Sequence, residues 1–177
     1  MSSDSMILTV ANRLARHAPF DRLEPKLLDR VARGIRIRYL EPNEIVFRAG
    51  ETPKPEFYVV GKGEVAVTQD VDGQRALIDV CDGGDIFGVR ALLADREYLA
   101  TTEAKDDTLL YVLGKDQLEE LIRDEPRVAM FFAAGFAADL PQPRDVNRLE
   151  VVRAARRHDK QTNTNDHTRR IDPVRDV

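Results

Sequence analysis

The 177-residue chain has no tryptophan, a single cysteine, only three histidines and no long apolar run. Each scarcity removes a class of function. With Cys81 alone, neither an intramolecular disulfide nor a multi-cysteine zinc cage can form, which suits a reducing compartment. Cys81 ends the run Leu77-Ile78-Asp79-Val80-Cys81 and reads as a small apolar filler at a strand end. His17, His158 and His167 all lie outside the strand-like region, so a metal site inside a barrel would lack its imidazoles. No Ser-His-Asp or Cys-His arrangement can be argued, and the expectation is a protein without catalytic, metal or cofactor chemistry. A membrane helix needs ~20 apolar residues in succession, and no run comes near that. The start, Met-Ser-Ser-Asp-Ser-Met, lacks the basic-then-apolar order of a secretory signal, so the expected location is the cytoplasm. Basic excess is missing too: 27 Lys and Arg stand against 31 Asp and Glu, a net charge of −4. That balance argues against a dedicated nucleic-acid binder, whose phosphate contacts call for a basic surface.

What the sequence does contain is a change of period. A hydrophobic share of 42% with 33% charged residues suits one globular domain with appendages. Residues 1–34 read as N-terminal helices, with Ile7, Val10, Leu14 and then Leu23, Leu27, Leu28, Val31 at spacings of three and four. Pro25 is suited to open the second helix. Over 35–113 the period becomes two, with strands expected at 35–40, 44–48, 56–60, 64–69, 75–80, 100–104 and 108–113. Asp72-Gly73 is a hairpin turn, since both residues tolerate positive φ. Short strands at this spacing indicate a sandwich or closed barrel. Helical spacing returns over 114–140, where Val128, Phe131, Phe132, Phe136 and Leu140 alternate with alanines. A helix so apolar around its girth must be covered by its own domain or by a second chain, and a homodimer is expected. Three phenylalanines in six residues cannot all face one body, so at least one should reach a partner. The remainder, 141–177, reads as a further helix over 147–157 followed by linker.

Three motifs carry a family resemblance. Ile45-Val46-Phe47-Arg48-Ala49-Gly50-Glu51 resembles a strand ending in Gly-Glu. Phe57-Tyr58-Val59-Val60-Gly61-Lys62-Gly63-Glu64-Val65 resembles a segment with two glycines around a tight turn. Asp82-Gly83-Gly84-Asp85-Ile86-Phe87-Gly88 resembles the approach to a phosphate-binding cassette. Their order and spacing over roughly 15–140 are similar to the cyclic-nucleotide-binding domain of catabolite-activator-type regulators, kinase regulatory subunits and gated channels. The resemblance implies a mainly β fold with flanking helices: an eight-stranded antiparallel jelly-roll (double-stranded β-helix) barrel, N-terminal helices and two or more C-terminal helices. The cassette falls at 83–104.

In that family, an acidic residue after Phe-Gly holds the ribose, and an arginine two residues before Ala-Thr neutralises the cyclic phosphate. Here Phe87-Gly88 is followed by Val89, and Ala100-Thr101 is preceded by Tyr98 at the arginine's place. Both polar contacts are gone, so cAMP and cGMP are expected to bind weakly. Gly88 and the first-turn amides of Val89, Arg90 and Ala91 could still face an anion or another nucleotide. Arg90 and Arg96 read either as solvated arginines or as a substitute clamp; in an extended stretch Arg96 would face the same side as Tyr98. Tyr98 reads either as a filler of the ligand's space or as a stacking platform. The altered cassette Phe87-Gly88-Val89-Arg90-Ala91-Leu92-Leu93 resembles N-terminal modules of bacterial signalling proteins that continue into CBS domains and a nucleotidyltransferase-like domain. The ending Ile171-Asp172-Pro173-Val174-Arg175-Asp176-Val177 resembles the approach to a CBS domain, which implies a fragment of a longer protein. Two functions stay open: a sensor with an altered site, and a ligand-free scaffold or dimerisation module. DNA binding is not expected, since a helix-turn-helix would have to fit within 141–177.

Overall fold

The computed structural model describes residues 3–138, and the expected helix over 147–157 and the linker after it lie outside the described residues. Helix α1 (Ser3–Leu14), a 3-10 turn (Phe20–Arg22) and α2 (Pro25–Gly34) come first. Pro25 sits in the first turn of α2, where a missing N–H breaks no helical bond. Eight strands follow: β1 (Arg36–Leu40), β2 (Ile45–Phe47), β3 (Glu56–Lys62), β4 (Val65–Val71), β5 (Gln74–Cys81), β6 (Ile86–Phe87), β7 (Thr101–Ala104) and β8 (Thr108–Gly114). The short α3 (Val89–Ala94) lies between β6 and β7, and α4 (Lys115–Asp124) and α5 (Pro126–Ala138) complete the described chain.

The strands pair antiparallel in two four-stranded sheets, ordered β1-β8-β3-β6 and β2-β7-β4-β5. Ladder bonds stay within each sheet, so of the sandwich and the closed barrel that the strand spacing allows, the described residues form two antiparallel sheets and no closed barrel. The β4–β5 hairpin turns at Asp72 and Gly73 with φ of 53° and 76°, as the sequence implies.

Two apolar cores result, and β3 divides them. Phe57 and Val59 face the helical side, together with Tyr111 and Leu113 of β8 and with Leu14, Val31, Leu118, Leu121, Val128 and Phe132. Tyr58 and Val60 face the other way, into a core to which all eight strands contribute. Strict alternation explains why four successive residues of β3, Phe57 to Val60, are at most 1% exposed. Gln117 ties the helices together: it accepts from the Gly114 N–H at 2.9 Å and donates to the Val31 carbonyl at 3.4 Å. No helix among the described residues is long and apolar enough to cross a membrane.

Candidate ligand site

The cassette begins where β6 pairs with β3, Phe87 opposite Tyr58. Gly88 then takes φ +83° and starts α3. Its conformation requires glycine, and its open side faces rings: a Cβ there would lie 3.2 Å from Tyr58 and 3.6 Å from Phe47. The Cβ side of Gly88 is thus lined by aromatic carbon.

Val89 and Leu92, three apart on α3, are buried in the helical-side core, so Val89 occupies a packing position. Ala91 packs on the inter-sheet core. Arg90 is exposed, its guanidinium carbon 5.9 Å from the centre of the Phe136 ring, a cation–π contact joining α3 to α5.

After α3 the backbone turns at Asp95, with φ 50°. Arg96 is exposed, whereas Tyr98 is only 4% exposed. Tyr98 is held at both backbone atoms, its N–H donating to the Glu51 carbonyl at 3.0 Å and its carbonyl accepting from Gly50 at 2.8 Å. Its ring stacks on Phe47, with centroids 3.6 Å apart and planes within 8°. Phe47 in turn lies 6.1 Å from Tyr58 and 6.0 Å from Phe87, and the last two stack at 5.1 Å. Four rings therefore fill the space beside the cassette. Next, Ala100 is half-buried, and Thr101 accepts the Ala49 N–H on its hydroxyl at 3.1 Å.

The polar fringe of the rings is unevenly satisfied. Tyr58 donates to Glu56 Oε1 at 2.8 Å, and burial, reinforced by that bond, drives its pKa far above the usual phenol value. Burial also raises the Tyr98 pKa; the nearby Lys54 amide opposes this, and Glu56 and Glu51 add to it. Both phenols stay protonated at neutral pH, so neither is poised for acid–base work. The buried hydroxyls of Tyr98 and Thr102 have no hydrogen-bond partner among the described residues. Arg36, Arg38 and Arg48 are committed to Glu56, Glu44 and Glu51. Among the described residues, no group of three or more His, Cys, Asp or Glu side chains could hold a metal ion.

The structure brings Phe87, Gly88, Ala91 and Tyr98 together around the rings, and leaves Arg90 and Arg96 at the surface. Sequence reasoning missed Phe47, Tyr58 and Thr102. Phe47 and Tyr58 stood in the quoted motifs, but which face of each strand points inward depends on a register that no motif states.

Residues 37–125 match the family described as cyclic nucleotide-binding domain. A cGMP-dependent protein kinase of Caenorhabditis briggsae is 28% identical over 118 residues, 65% of this chain and 16% of the kinase. A cAMP-dependent protein kinase regulatory subunit of Yarrowia lipolytica is 33% identical over 94 residues, 53% of this chain and 24% of the subunit. The chain thus spans a quarter or less of the length of these relatives. The regulatory domain of Toxoplasma gondii protein kinase A, solved with cAMP, superposes with a TM-score of 0.63 at 24% identity, over 70% of this chain and 47% of that one. With the family match covering half of its length, and with the cassette, the paired sheets and the flanking helices in place, the chain belongs to the cyclic nucleotide-binding domain family.

Proposed function

We propose that this is a regulatory module of the cyclic nucleotide-binding type whose ligand space is filled by its own Tyr98, so that cAMP and cGMP bind weakly. The observation that carries the reading is the burial of Tyr98 against Phe47 at the position where relatives' arginine is expected. Coverage of Gly88 by Tyr58 and Phe47, and the packing of Val89 away from the rings, support it. A ligand phosphate would meet no guanidinium at the Tyr98 position, a loss worth roughly 2–5 kcal/mol for a charged partner.

The module's output then runs through α5. Phe132 is buried while Met130 and Phe131 are 70% and 41% exposed, a surface suited to a second copy of the chain in a cytoplasmic homodimer. The larger setting is a signalling protein that continues into CBS domains, with no DNA-binding role for this segment. Calorimetry tests the central point. Dissociation constants for cAMP and cGMP above about 100 μM are expected, and low-micromolar binding of either would overturn the reading.

A further inference from the structure

The ring stack has properties that a mere filler does not need. Tyr98 is nine-tenths buried, yet its hydroxyl has no hydrogen-bond partner among the described residues. Thr102, 1% exposed, has the same defect. The two flank one ring: Thr102 is the cross-strand partner of Phe47 on β7, and Tyr98 lies flat on Phe47. Buried hydroxyls are ordinarily paired, and two unpaired ones around a single ring mark a place where partners are missing. The Tyr98 ring also rides on an exposed segment, with Arg96, Glu97 and Leu99 all at the surface.

We infer that Tyr98 is a displaceable plug, and that the slot it closes takes an uncharged, planar aromatic ligand stacked on Phe47 with a polar edge toward Thr102 Oγ1. This rests on the self-filled reading above and names what opens it. Three features set the ligand's chemistry. The parallel 3.6 Å stack shows that the slot accommodates a flat ring. Phe87 and Tyr58 line it further. Arg36, Arg38 and Arg48 are each paired to a carboxylate, Arg90 and Arg96 lie at the surface, and the buried lining of Phe47, Tyr58, Phe87 and Thr102 offers an anion no cation. The unpaired hydroxyl of Tyr98 lowers the cost of its leaving, since outside it gains water.

Adenosine and cAMP make a suitable pair of probes, because they share one ring system and differ in charge. Both would be titrated calorimetrically into the unaltered chain, Tyr98→Phe and Tyr98→Ala. A plug that must open reduces apparent affinity by the open fraction, so Tyr98→Ala should bind adenosine at least about tenfold tighter than the unaltered chain. Tyr98→Phe, with a better-settled plug, should bind it about tenfold more weakly. In all three, cAMP should bind no tighter than adenosine. Adenosine binding to the unaltered chain should also give a tyrosine absorbance change, from exposure of the phenol, that Tyr98→Phe lacks. Failure of folded Tyr98→Ala to bind adenosine overturns the slot and leaves the weak-cyclic-nucleotide reading standing. Tighter binding of cAMP than of adenosine overturns the proposed charge selection. Should Tyr98→Ala not fold, the Tyr98→Phe comparison and the absorbance change decide, and equal adenosine affinity with no spectral change overturns the plug.

Discussion

Tyr98 and Phe47 lie face to face, 3.6 Å apart, although they are 51 positions apart in sequence and Tyr98 belongs to no strand. The stack comes from backbone bonds, since Tyr98 is fastened to Gly50 and Glu51 just beyond β2. Removing the ring should leave a hole that the sheets cannot collapse around. Tyr98→Ala is expected to cost about 3–5 kcal/mol. Tyr98→Phe keeps the stack and removes an unpaired buried hydroxyl, so it should gain about 1 kcal/mol. Urea unfolding of the three proteins distinguishes these signs.

Phe131 and Phe132 are neighbours with opposite fates. Phe132 is 7% exposed within the helical-side core, and Phe132→Ala should cost about 3–5 kcal/mol. Phe131 is 41% exposed, and Phe131→Ala should change monomer stability by no more than about 0.5 kcal/mol. Phe131→Asp should dissociate the proposed dimer and leave the domain folded, whereas Phe132→Asp should unfold it. Sedimentation with circular dichroism separates the two results. A monomer at high concentration for the unaltered chain would remove the dimer from the proposal.

Glycine positions offer a second contrast. Both Gly73 and Gly88 have positive φ, at 76° and 83°. A Cβ on Gly73 meets nothing within 4 Å, so Gly73→Ala should cost only the left-handed strain of about 1–2 kcal/mol. A Cβ on Gly88 adds tight contact with Tyr58 at 3.2 Å, which is part of the ring stack. Gly88→Ala should therefore destabilise more than Gly73→Ala, measured by denaturant midpoints.

Acid sensitivity should be traceable to one bend. At the junction of α4 and α5, Arg127 donates to both carboxylate oxygens of Glu125, at 2.7 and 2.6 Å, and holds its pKa down to about 2 from an ordinary 4.5. A carboxylate with a depressed folded pKa stabilises above its unfolded pKa and loses that contribution as pH falls through the folded value. The loss should appear between about pH 4.5 and about pH 2. Glu125→Gln should flatten the stability profile in that window and leave it unchanged at neutral pH in slope. Thermal melts across the window check it.

The strands, the Asp72-Gly73 turn and the Pro25 helix start were legible because each rests on local chemistry: a two-residue period, positive φ, a ring that fits a first turn. The cassette's position was legible from Phe87-Gly88 through its resemblance. The use of its side chains was not. Val89 and Leu92 form an apolar pair at helical spacing, and that pairing outweighed the motif position in deciding where Val89 points. The difference in exposure between Arg96 and Tyr98 follows from the backbone bonds that tie Tyr98 to Gly50 and Glu51, a long-range contact that no local pattern states. β6, two residues long, is too short to leave a periodic trace. Closure of the sheets is set by which edges meet across tens of residues, and no local pattern encodes that.

The alternation along β3 fixes more than burial. Phe57 and Val59 belong to one core, Tyr58 and Val60 to the other, and β3 pairs on both sides, with β8 and with β6. A single inserted or deleted residue there would swap the two sets, sending the aromatic ring of Tyr58 toward the helices and Phe57 into the ring stack. Length changes are tolerable at the Asp72-Gly73 tip, where added atoms meet open space. The domain can be lengthened at its hairpin, while β3 holds the reading frame on which both cores depend.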